Sequence, residues 1–117
     1  MPSTSDRKII LTYNGDVTGT LVFTATRNGA TPAVVELVNL ASGNNTITVP
    51  TGGSTVLGCT ILPPSANTTN MTLRGVAGDT GVQLHDSDPS SIAIDPAVTS
   101  FVLNAAGAIT GVRLLWT

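Results

Sequence analysis

Between Gly75 and Ser91 the chain reads GVAGDTGVQLHDSDPSS. Four of the seven acidic residues, Asp79, Asp86, Asp88 and Asp95, lie in or just after this stretch, together with the single histidine, His85. Two kinds of chemistry use such residues. A carboxylate on a tight Asp-Thr-Gly turn can activate water when a second carboxylate shares its proton, and one such tripeptide per chain would require two chains to meet. Carboxylates in a loop can instead give oxygens to a hard cation such as calcium, which takes six or more, and Asp79, Asp86 and Asp88 are the candidates for that role.

The surroundings weaken both readings. Over three residues, Asp79-Thr80-Gly81 resembles the motif of retroviral-type aspartic proteases, where it lies near the N-terminus with apolar residues before it and a glycine-rich flap after it. Here Asp79 follows Gly75-Val76-Ala77-Gly78 in a chain of 117 residues, and the Thr51-Gly52-Gly53 stretch lies upstream of it. A turn suits the residues better, with Asp79 accepting backbone N–H bonds and a glycine supplying positive φ. The HDSDPSS segment lacks the glycine and terminal glutamate of a helix-loop-helix calcium site, and Asp88-Pro89 reads as an Asx-turn followed by a fixed bend. One histidine among several serines makes no Ser-His-Asp set. The glycines of RGVAGDTG are followed by no Lys-Ser/Thr pair, as a phosphate loop requires. No catalytic residue, cofactor or metal is therefore assigned.

The elements that must position these residues are β-strands. Thr occurs 19 times, with 9 Ser, 8 Asn and 12 Gly, against a single Glu, Lys and Gln. Helices solvated on one side need the long straight-chain residues, whereas Thr and Val suit a pleated, half-buried surface. Short alternating or β-branched runs recur: 7–13, 19–26, 33–41, 46–50, 54–62, 71–77, 91–95, 99–105 and 109–117. Asn14-Gly15 between the first two is a hairpin-turn signal, and Gly58 within STVLGCTIL is a candidate bulge. The segments GDVTGTLVFT and GAITGVRLLW share a pattern that two similar sandwich strands would explain. The expected fold is all-β: one antiparallel sandwich over residues 1–117, jelly-roll-like or immunoglobulin-like, of about 8–10 short strands. Residues 1–6 are expected as a flexible arm.

Composition narrows the partners. One cysteine, Cys59, excludes an intrachain disulfide. The five basic residues, Arg7, Lys8, Arg27, Arg74 and Arg113, form no patch flanked by aromatics, so nucleic acid is not expected. The first residues lack the apolar core of a signal peptide and no run reaches membrane-spanning length, so synthesis and retention in a cytoplasm is the expectation.

Only 10% of residues are charged, where a dispersed monomer commonly carries a quarter or more on its surface. Strand faces covered by Thr, Ser, Asn, Ala and Val desolvate at small cost and repel a copy of themselves weakly, which fits a chain packed against neighbours. Tyr13, Phe23, Arg113, Leu115 and Trp116 are the interface candidates. Trp116 has two roles open to it, capping the core or docking on a neighbour.

In the texture of LTYNGDVTGTLVFTA, GVAGDTGVQL and AITGVRLLWT the chain resembles the small β-sandwich virion proteins of tailed bacteriophages. These include capsid decoration or cement proteins and neck or tail accessory subunits. The resemblance implies a non-enzymatic assembly role in a virion, among other virion subunits and copies of itself. The alternatives are a receptor- or glycan-binding module of a fibre, with a pocket near Tyr13, Trp116 or residues 79–88, and then a dimeric protease using Asp79.

Overall fold

The computed structural model describes residues 3–29, 34–50, 58–95 and 97–116, with the side chains of residues 3–7, 13, 25–29 and 34 outside the description. Ten strands run through them: β1 Ser3–Tyr13, β2 Gly19–Gly29, β3 Val34–Leu40, β4 Gly43–Thr48, β5 Gly58–Leu62, β6 Met71–Arg74, β7 Val82–Leu84, β8 Ser90–Ala93, β9 Ser100–Ala105 and β10 Ile109–Trp116. No helix occurs among the described residues.

The last eight strands pair in a nested order: β3 with β10, β4 with β9, β5 with β8 and β6 with β7, all antiparallel. The described strands between 34 and 116 thus form one long folded ribbon with its tip at the β6–β7 turn. Two further pairings, β10 with β5 and β9 with β6, roll that ribbon into sheets of order β3-β10-β5-β8 and β4-β9-β6-β7. This winding is a jelly roll, and it decides between the two sandwich types the sequence allows.

Alternation explains which residues meet between the sheets. Leu40, Cys59, Ile61, Ile109, Val112, Leu114 and Trp116 point inward from one sheet, and Ile47, Met71, Phe101, Leu103 and Ala105 from the other; Val49, just past β4, joins them in the core. Phe101 and Trp116 sit across the interface with ring centroids 6.1 Å apart and planes tilted by 52°, an arrangement that aromatic quadrupoles favour. Trp116 Nε1–H donates to Glu36 Oε2 at 3.1 Å. Glu36 lies opposite Leu114 on the edge strand β3 and is exposed; a charge there also discourages another strand from adding to the edge.

The only register shift in the β3–β10 ladder falls between Ile109 and Val112, at Gly111, whose φ is +84°. The amide displaced there donates to Asn39 Oδ1 at 2.9 Å. The bulge expected at Gly58 is absent, since Gly58 pairs regularly with Ala93.

β1 and β2 form a separate two-stranded hairpin in unbroken register from Ser3↔Gly29 to Tyr13↔Gly19. That register leaves residues 14–18 as the loop, and Gly15 does not take the left-handed backbone, so Asn14-Gly15 is not the two-residue turn its sequence suggests. The polar start expected as an arm enters β1 at Ser3, and Met1 and Pro2 lie outside the described residues. The shared pattern of GDVTGTLVFT and GAITGVRLLW marks no structural kinship, because one belongs to the hairpin and the other to the sandwich. The radius of gyration is 15.3 Å, above the roughly 13 Å of a compact chain of this length.

Candidate functional site

The residues with chemical potential are held by turns. In the β6–β7 connection, Asp79 Oδ2 accepts the Val76 N–H at 3.0 Å, and Asp79 N–H donates to the Val76 carbonyl at 3.1 Å. Gly81 has φ +74°, and a Cβ there would collide with the Leu73 carbonyl oxygen and stand 2.7 Å from Arg74 Cγ. Asp79 therefore does what a turn asks of it, and Gly81 supplies the positive φ. Asn44 Oδ1 accepts from Arg74 Nη1 at 3.1 Å and Asn104 Nδ2 at 2.8 Å, and Arg74 Nη1 also reaches the Ala77 carbonyl. A polar web thus ties this turn to the outer face of its own sheet.

The loop 85–89 joins β7 to β8. Its bend is held by His85, whose Nδ1 accepts the backbone N–H of Ser87 at 3.2 Å and of Asp88 at 3.0 Å. Sequence reasoning gave that task to the Asp88 side chain; the imidazole performs it instead. The carboxylates of Asp86 and Asp88 approach the same nitrogen to 3.4 and 3.7 Å. With its lone pair facing two N–H groups, Nδ1 has no proton to offer them, so this proximity is not an ion pair. Asp95 Oδ1 accepts the Ala97 N–H at 2.8 Å in a further Asx-turn. Among the described residues no three His, Cys, Asp or Glu side chains are placed to hold one metal ion. Asp79, Asp86 and Asp88 are thus not gathered into a shared cation site. A shallow depression of about 410 Å³ beside this loop is lined by Asn70, Gln83, Leu84, His85 and Asp86, with no aromatic ring among them.

A different feature stands out, and it is apolar. In the hairpin, Ile9 lies opposite Phe23 and Leu11 opposite Leu21, so these four share one face. Phe23 is 57% exposed, Leu11 52% and Leu21 48%, while Ile10 and Val22 are exposed on the reverse face. Among the described residues β1 and β2 make extensive contact only with each other. A lone two-stranded hairpin is marginal in water, and an apolar face on it calls for a covering surface.

A second apolar area lies on the outside of the sheet that starts with β3. Val35 and Leu37 are exposed there beside Leu115 and Arg113, their partners on β10. The outer face of the other sheet carries Asn44, Thr46, Thr72 and Asn104. A groove of about 410 Å³ also opens between the edge strands β7 and β8, walled by Leu73, Val82, Ile92, Ile94, Val98 and Phe101, with Asp95 and Arg74 at its sides.

Of the interface candidates read from sequence, Phe23 and Arg113 are exposed and Leu115 is half-buried. Trp116 is 2% exposed and belongs to the core, a correction to its place among the interface candidates, because its ring packs against Phe101 in the space between the sheets. The Tyr13 backbone closes the hairpin, and its side chain lies outside the description. Sequence reasoning missed Ile9, Leu11, Leu21, Val35 and Leu37 as a surface; the signal was their alternation, which marks a buried face without saying what buries it. Comparison with family models, with curated proteins and with solved structures returns no match.

Proposed function

We infer that this chain is a non-enzymatic structural subunit of a viral particle, most simply a bacteriophage capsid decoration or accessory protein, which acts by burying its exposed apolar strands against neighbouring subunits. The observation that carries this reading is the hairpin face of Ile9, Leu11, Leu21 and Phe23, largely exposed on two strands that, among the described residues, make extensive contact only with each other. The low charge of the sequence supports it, since little repulsion opposes close packing of copies. The jelly roll is compatible with it: eight-stranded rolls of this winding build capsid domains, although they also build lectins and other proteins, so the fold alone assigns no role.

In this reading Asp79 is a turn residue. Size-exclusion chromatography with light scattering tests the proposal. Multimers, or co-elution with purified particles, are expected for the native chain and for Asp79→Asn alike. A chain that remains single at high concentration and binds no particle would contradict it.

A further inference from the structure

The bend at residues 85–88 rests on one lone pair. His85 Nδ1 accepts the N–H groups of Ser87 at 3.2 Å and of Asp88 at 3.0 Å, two and three residues ahead of it. An asparagine or aspartate oxygen commonly plays that part in an Asx-turn, and here an imidazole takes it. The exchange of residue type has a chemical consequence. An amide oxygen keeps its lone pairs at every pH, whereas imidazole is the side chain that gains a proton in the physiological range. A proton on Nδ1 would consume the lone pair that both N–H groups share.

The same nitrogen stands 3.4 Å from Asp86 Oδ1 and 3.7 Å from Asp88 Oδ2. While the ring is neutral these carboxylates have nothing to accept from it. Once Nδ1 carries a proton they become charge-assisted acceptors within a small rotation of the ring. Asn70, Gln83 and Leu84, which line the adjoining depression, bear no charge, which leaves Asp86 and Asp88 as the carboxylates in reach of the ring among the described residues. The His85 side chain is 59% exposed, so solvent delivers the proton directly.

We propose that the 85–88 bend is a proton-operated switch. With the ring neutral, Nδ1 holds the amides of Ser87 and Asp88. With the ring protonated, Nδ1–H turns to the carboxylate of Asp86 or Asp88 and releases both amides. The change extends past the bend, because the Asp86 carbonyl accepts from Asn67 Nδ2 at 2.6 Å, and Asn67 also closes its own loop through Thr69. Loop 85–89 carries the chain from β7 in one sheet to β8 in the other, so the switch sits where the ribbon crosses between sheets. It stands independently of the assembly role proposed above.

An NMR titration of the full chain tests this, and the single histidine makes its ring signals unambiguous. The neutral ring should be the Nε2–H tautomer by its nitrogen shifts. As pH falls, the Ser87 and Asp88 amide protons should lose their hydrogen-bonded, downfield positions along the same curve as the His85 Cε1–H signal, and the Asn67 side-chain amide should shift on that curve too. His85→Asn places an oxygen near the position of Nδ1 and has no proton to take up. In that variant both backbone amides should stay downfield, with no inflection in the range where the native ring titrates. A neutral ring protonated on Nδ1, or amides that hold their positions while the ring titrates, would overturn the switch. The same inflection in His85→Asn would overturn it as well, because the response would then belong to Asp86 and Asp88.

Discussion

The jelly roll and the hairpin are made of the same residue types in the same alternation, and they differ in what lies across from the apolar side. In the jelly roll, Leu103 and Leu114 face the opposite sheet and are fully buried. In the hairpin, Leu11 and Leu21 face each other's flank and remain about half exposed. Period-two patterning therefore records that a face is to be covered, while topology records whether the chain itself covers it. Where the chain does so, the result is stability; where it does not, the face is left exposed, and under the proposed function it is the binding element.

Substitutions that break this contrast should separate folding from assembly. The largest effect is expected at the aromatic bridge between the sheets: Trp116→Ala should lower unfolding free energy by about 3–5 kcal/mol, read by denaturant titration, because a large cavity opens against Phe101. Gly81→Ala should cost about 1–3 kcal/mol, since positive φ and the Leu73 carbonyl both oppose a Cβ there. Glu36→Gln should cost roughly 1 kcal/mol or less, because the amide oxygen can still accept the indole N–H. Phe23→Ser should change unfolding of the isolated chain by no more than ~0.5 kcal/mol, the usual range for an exposed site, and yet abolish multimers in light scattering. Equal sensitivity of folding to Phe23→Ser and Trp116→Ala would erase the distinction between the two regions.

The sequence shows most of the strands and little of their arrangement. The pattern of ILTYNGDVTGTLVF marks a hairpin, but the five-residue loop instead of an Asn-Gly turn follows from the Tyr13↔Gly19 register, which no local signal sets. β7, Val82–Leu84, is too short for alternation to reveal and hides in a glycine- and aspartate-rich stretch. The nested pairing joins segments as distant as Val34–Leu40 and Ile109–Trp116, and such long-range partners leave no trace in a window of ten residues. The turn at Asp79 was legible because Gly-Asp-Thr-Gly has a local mechanism. The bend held by His85 was not, since an imidazole accepting two backbone N–H groups is no sequence motif. Trp116 fits core and interface equally by composition, and only the Phe101 ring opposite decides between them.

Hydrogen exchange on the hairpin tests the division of labour most directly. In dilute chains the amides of residues 9–11 and 21–23 should exchange far faster than those of Leu103 and Val112, and on assembly they should slow by roughly 100-fold while the core amides stay unchanged. Hairpin amides already as slow as the core in single chains, or equally fast in both states, would contradict the assignment of the hairpin to docking.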